Sequence, residues 1–140
     1  MRKKLIYFHE PDAAGNIFLP HEVDFSPEVY GTVDKFDCAR LPLELVAASG
    51  KVEFATDGIY IYTRIWDNTS GHKFAKMMES GYHLMPIGTG RIDEQNIVRD
   101  YILHYFTLTV KPIWNVRNNL LKQHEGTSRT RLGRGIRPDN

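Results

Sequence analysis

The run Ile59-Tyr60-Ile61-Tyr62-Thr63-Arg64-Ile65-Trp66 decides the class of the fold. Side chains of an extended chain alternate between two faces, so Ile59, Ile61, Thr63 and Ile65 share one side and Tyr60, Tyr62, Arg64 and Trp66 the other. Both sets are bulky, which predicts a strand covered on two sides. β-branched and aromatic residues are the types that pack well on such a pleated surface.

Working outward, Val98 to Val110 repeats the pattern. Ile102, His104, Phe106, Leu108 and Val110 are expected on one face, against Tyr101, Leu103, Tyr105 and Thr107 on the other. Val52-Glu53-Phe54-Ala55 before Asp57-Gly58 reads as the first arm of a hairpin into the Ile59 strand, because Asp-Gly readily adopts positive φ. Shorter strands are expected at Lys4 to His9, Ile17 to Leu19, Val29 to Val33 and Leu43 to Ala47. One helix interrupts them: Thr69 or Ser70 can cap it, Phe74, Met77 and Met78 recur at helical spacing, and Gly81 offers a left-handed stop. The expected class is a single β-rich α+β domain with one or more short helices, and with Phe74, Met77, Ile61 and Phe106 in its core.

Composition bounds what such a domain does. The chain has 140 residues, 41% of them hydrophobic, enough for one core and an extension but not for two ordinary domains. A formal charge of +1 gives no chain-wide field demanding a nucleic acid or an anionic membrane. The single cysteine, Cys38, allows no internal disulfide, suits a reducing compartment and reads as a small packed side chain. Leu5-Ile6-Tyr7-Phe8 is too short an apolar run for a signal sequence or a membrane span, so no membrane association is expected.

After Trp114 the apolar periodicity is lost. The expected division is a β-domain over residues 1–119 and a basic C-terminal arm over residues 120–140. Arg129, Arg131, Arg134 and Arg137 are its candidate partner-binding residues, with Leu120, Leu121, Leu132 and Ile136 as apolar anchors. So few apolar groups cannot offset the entropy of ordering, about 1–2 kcal/mol per residue, without a partner.

Direct searches for chemistry find little. His9, His21, His72, His83, His104 and His124 give no paired helical ligands and no cysteine cluster, so no metal or other cofactor is expected. Gly88-Thr89-Gly90 lacks the Lys-Ser or Lys-Thr of a phosphate loop and reads as a bulge leading out of a strand. Cys38 or Ser49 could in principle meet a distant histidine, but nothing in the local context supports such a pair. Ser80 and Thr89 read as a helix-end residue and a turn residue.

From Gly58 to Trp114 the chain resembles the core of the prohead maturation proteases of tailed phages, which share a fold with the herpesvirus assembly proteases. That family's strand resembles Ile59 to Ile65, its short helix Gly71 to Gly81, and its later strand Tyr101 to Val110 before Trp114. Between them it carries the nucleophile in a Ser-Pro-Arg-Gly-like motif. The corresponding residues here are Met85-Pro86-Ile87-Gly88, which puts Met85 at the nucleophile and Ile87 at the arginine. Gly31-Thr32-Val33-Asp34-Lys35 resembles the segment that supplies the general base, with Lys35 in the histidine's place. A thioether has no proton to lose, and an isoleucine side chain donates nothing to an oxyanion.

The resemblance therefore implies a protease-like β-domain without the protease. The expected function is that of a non-enzymatic virion or head-assembly protein: a capsid decoration, cement, neck or internal head component. It would be multicopy or homo-oligomeric, would partner capsid or other virion proteins, and would reside in the host cytoplasm before entering the particle. The alternatives are an active prohead serine protease with a rearranged site, and a nucleic-acid-binding module using the basic arm, which is not favoured.

Overall fold

A computed structural model describes residues 1–36 and 41–114. They form a single β-rich domain, a curled six-stranded mixed sheet in the shape of a half-barrel with one short α-helix. The strands are β1 (Arg2–Tyr7), β2 (Val23–Thr32), β3 (Val46–Ala55), β4 (Gly58–Ile65), β5 (His83–Ile92) and β6 (Val98–Thr109), and the helix is α1 (Thr69–Glu79). Their order across the sheet is β1-β4-β3-β2-β6-β5. Only β2 and β6 pair in parallel; every other neighbouring pair is antiparallel. Cys38 and the expected arm from Leu120 to Asn140, with Arg129, Arg131, Arg134 and Arg137, lie outside the described residues, as does the expected boundary at 119/120.

The deciding run is strand β4, but it is covered on one side rather than two. Ile59 and Ile61 are fully buried, whereas Tyr62 and Arg64 are exposed and Tyr60 is half-buried. The outer tyrosines are shielded by cations from β1 instead of by a second layer. The Arg2 guanidinium lies 3.7 Å from the centre of the Tyr60 ring while its Nε donates to Glu53 at 2.8 Å. The hairpin into β4 forms as expected, pairing Ala55 with Gly58 around Thr56-Asp57, but no residue of that turn has positive φ.

Strand β6 spans almost the expected residues, and its two faces exchange midway. Gly88 pairs with Leu103 and Ile87 with Tyr105, so His104 is an extra residue on β6. A bulge of this kind shifts the alternation by one. The core side chains are consequently Tyr101 and Leu103 before it and Phe106 and Leu108 after it, while Ile102 is exposed. Phe106 is fully buried, its ring edge-on to Phe74 of α1 at 6.2 Å. Gly31 and Gly50 make room for it: a Cβ at Gly31 would collide with the Phe106 ring, and one at Gly50 with Ile61 and that same ring.

Other expectations shift for local reasons. The expected strands at Leu43 to Ala47 and Val52 to Ala55 are parts of one region: Leu43–Leu45 is a 3₁₀ turn, and β3 runs unbroken from Val46 to Ala55. The cap of α1 is Asn68, whose side chain accepts from the Gly71 amide at 2.6 Å, rather than Thr69 or Ser70. Gly81 ends the helix with φ +96°. Ile17 and Phe18 form only isolated bridges, to Ile97 and Phe8. Phe74, Ile61 and Phe106 are wholly inside, and Met77 packs half-buried against them. Among the described residues no helix is long and apolar enough to cross a membrane.

Candidate functional site

The sheet register carries Lys35 to Met85 and Ile87. In the β5–β6 ladder Met85 is opposite Thr107 and Ile87 opposite Tyr105, and directly opposed residues share a face. Those same β6 side chains hold the turn that follows β2. The Tyr105 hydroxyl accepts from the Phe36 amide at 2.5 Å and donates to the Phe36 carbonyl at 2.6 Å. Thr107 Oγ1 donates to the Thr32 carbonyl at 2.8 Å. The strand under Met85 and Ile87 thus anchors the turn bearing Lys35. All three line one groove of about 290 Å³, together with Asp12, Tyr101 and Trp114.

These three side chains bring no hydroxyl, thiol or imidazole. Met85 offers a half-buried thioether, Ile87 a buried alkyl group and Lys35 an exposed ammonium, a donor with no acceptor. Among the described residues lining this groove there is no serine, threonine, cysteine or histidine. Its carboxylate, Asp12, escaped the sequence reading. One Asp12 oxygen accepts from the amides of Ala14 and Asn16, both at 2.9 Å, closing a tight turn. Burial pushes the Asp12 carboxyl above its ordinary range, against the lowering effect of those amides. No sequence signal marks it beyond the turn-forming Asp12-Ala13-Ala14-Gly15.

A hydroxyl–imidazole contact lies on the edge strand. Thr89 Oγ1 and His104 Nε2 are 2.9 Å apart, and Thr89 is a strand residue paired with Ile102 beside the bulge, not the turn residue expected. Nucleophilic catalysis further needs a group that orients the imidazole and donors for the oxyanion. Among the described residues no third side chain bonds His104, and Thr89 is exposed outside the groove of Lys35 and Met85. The pair is a cross-strand link at the bulge. Ser80 donates to the Lys76 carbonyl at 3.0 Å, as a helix-end residue does. Ser49 is buried in β3 opposite Tyr30 and Arg64. Among the described residues no group of three or more His, Cys, Asp or Glu is placed to hold a metal ion.

A tight polar clamp stands apart from the groove, at the start of β6. Arg99 donates to Asp93 at 2.9 Å and to Glu22 at 3.0 Å, and Glu22 also accepts from the Asp100 amide at 2.9 Å. Asp100 sits at φ 53°, so the clamp holds a strained backbone position. The Asp100 amide and Arg99 hold the Glu22 carboxyl below its usual range, and the Ile97 amide and Arg99 do the same for Asp93.

Comparison with known proteins adds no relative: no family model, no curated protein and no solved structure matches this chain.

Proposed function

We propose that this chain is a non-enzymatic virion or head-assembly protein of a tailed phage, built on a prohead-protease-like β-domain that has lost its catalytic groups. The observation that carries the reading is the convergence of Lys35, Met85 and Ile87 on one groove. These are the positions that the resemblance assigns to base, nucleophile and arginine. Their meeting supports a common architecture; their side chains supply neither nucleophile nor oxyanion donor. What such a domain retains is a rigid sheet with a groove, the equipment for holding partner chains within an assembly. Fold analogy supplies the phage setting and the groove supplies the loss of chemistry.

Quantitative mass spectrometry of purified particles of the encoding phage tests the assignment. The protein should be present in multiple copies, at its full unprocessed mass, and deletion after Leu121 should lower that copy number. Absence from both proheads and mature particles overturns the reading. The loss of catalysis is tested separately by incubating the protein with the phage's scaffold and capsid proteins. No cleavage is expected, and Met85→Ser should restore none, since the new hydroxyl would face an ammonium and an isoleucine.

The Thr89–His104 contact gives the rearranged-protease alternative its one foothold. Covalent labelling of the wild type by a fluorophosphonate probe, abolished in Thr89→Ala, would establish that alternative.

A further inference from the structure

The half-barrel does not close, and the gap is where its two edge strands face each other. β1 and β5 end the sheet on opposite sides, and their Cα atoms come within 8 Å of each other across the seam. A groove of about 460 Å³ opens there, with Leu5, Tyr7, Met78, Tyr82, Leu84 and Trp114 as its apolar lining. It is larger than the groove of Lys35 and Met85. The strap Pro112-Ile113-Trp114 forms one wall, pinned by the Ile113 carbonyl accepting from the Ala13 amide at 2.7 Å and by Trp114 Nε1 donating to the Glu10 carbonyl at 3.1 Å. Tyr7 stacks on Trp114 at 5.1 Å, so the apolar surface is fixed in place before anything binds.

The fixed charges of this groove are ammonium groups, and an imidazole stands beside them. Lys3, Lys4 and His83 line it, and among the described residues no Asp or Glu does. Lys4 is already answered, its ammonium 3.0 Å from Asp57 and 4.3 Å from the centre of the Tyr7 ring. Lys3 and His83 are exposed and have no ion-pair partner among the described residues. An unanswered ammonium and an exposed imidazole, both able to donate to a carboxylate, beside a preformed apolar groove match an occupant that brings carboxylates and a bulky apolar side chain.

We propose that the seam docks an extended acidic segment of a partner protein, anchored by one aromatic or aliphatic side chain set between β1 and β5. This goes beyond the virion reading and does not rest on it. A strand bonded to both edges does not fit where the edges approach within 8 Å, since a shared strand needs about 9.5 Å between its neighbours at the usual spacing. Pro86 further removes a donor from the β5 edge. Recognition therefore comes from an anchor and from charge, not from a backbone ladder.

Charge also argues against the chain's own continuation as occupant. Six of its eighteen Lys and Arg but only two of its seventeen Asp and Glu follow Trp114, so residues 115–140 carry a net +4 and residues 1–114 a net −3. A continuation of that net charge is unfavourable beside the Lys3 ammonium. The domain's net negative charge does not reverse the local preference, because screening confines such fields to about 8–10 Å.

The test uses the full-length chain and three short fluorescein-labelled peptides. Each has one phenylalanine, flanked on both sides by glutamates, by glutamines or by lysines. Anisotropy should rise saturably with the glutamate peptide and shift the emission of Trp114, with the glutamine peptide weaker and the lysine peptide weaker still. Lys3→Glu with His83→Glu, both at exposed positions, should weaken the glutamate peptide by about tenfold and strengthen the lysine peptide. Leu84→Asp should weaken the glutamate and glutamine peptides; if it unfolds the chain, the paired charge reversal still decides. Equal binding of the glutamate and glutamine peptides, indifference to the charge reversal, or saturable binding to none of them overturns the proposal.

Discussion

The middle of the sheet and its two edges are built on opposite terms. At the centre, Phe106 fills the space between Gly31, Gly50, Ile61 and Phe74, and these aromatic and aliphatic side chains are fully buried. At the edges, most side chains of β1 and β5 are half-buried or exposed, with Leu5, Ile6 and Ile87 the buried exceptions, and both grooves lie along β5. A close-packed centre has no room for a ligand, and an edge strand has unanswered backbone and surface to offer. Binding on this scaffold therefore belongs to the edges, and variants at the two places should separate stability from recognition.

The widest separation is expected at Phe106. Phe106→Ala should cost about 3–5 kcal/mol, since the flanking glycines cannot fill the void. Chemical denaturation would register it as a lower midpoint with an unchanged slope. Met85→Ser, on the half-buried edge, should cost roughly 1–2 kcal/mol, below the usual range for a fully buried methionine. Equal losses at the two positions would break the contrast between centre and edge.

Gly31→Ala sharpens the same contrast from the opposite direction. The added methyl meets the Phe106 ring, an overpacking that should cost about 1–3 kcal/mol. Combined with Phe106→Leu it should cost less than the sum of the two single changes, because the smaller side chain frees the space the methyl needs. Strict additivity in that double-mutant cycle would mean that the two groups do not compete for one volume.

The sequence exposes the centre better than the edges, and the residues show why. β4 and β6 stand out because bulky residues alternate along them, and α1 because Phe74, Met77 and Met78 fall at helical spacing before a stop at Gly81. The middle of β3 is missed because Ala48-Ser49-Gly50 has no bulky residue to show a period. Those residues are small since α1 and Phe106 press on that stretch, a tertiary cause. The exchange of faces at His104 depends on a bulge that no composition announces. The site divides likewise. Lys35, Met85 and Ile87 were reachable through the resemblance, whereas the seam arises from two edges distant in the chain and the Thr89–His104 contact from a register that bulges set.

A third variant lies between centre and edge. Asn68 caps α1 through the Gly71 amide, and its Nδ2 donates to the Val46 carbonyl at 3.1 Å, fastening the helix to β3. Asn68→Ala should cost about 1 kcal/mol for the cap. A loss visible in helical circular dichroism but not in peptide binding at the seam would keep stability and recognition separate.

The smallest effects are electrostatic, and they have opposite signs at the two carboxylate sites. Glu22 is held down by the Asp100 amide and Arg99, so its folded pKa lies below the unfolded value of 4.5. Its contribution is present above that value and is lost as pH falls through the folded pKa. Asp93 behaves likewise below its ordinary 3.8. Asp12 is pushed up by burial, so the fold disfavours its ionised form; that penalty is present at neutral pH and is relieved as pH falls through the raised folded pKa. Glu22→Gln should therefore lower Tm at neutral pH and converge on the wild type below the carboxylate range. Asp12→Asn, which keeps an oxygen for the Ala14 and Asn16 amides, should hold or raise Tm at neutral pH and lose that advantage on acidification. Thermal melts of both variants from neutral to acidic pH decide the matter: slopes of the same sign would show that the groove carboxylate is not burdened by burial, and that Asp12 belongs with the clamp residues.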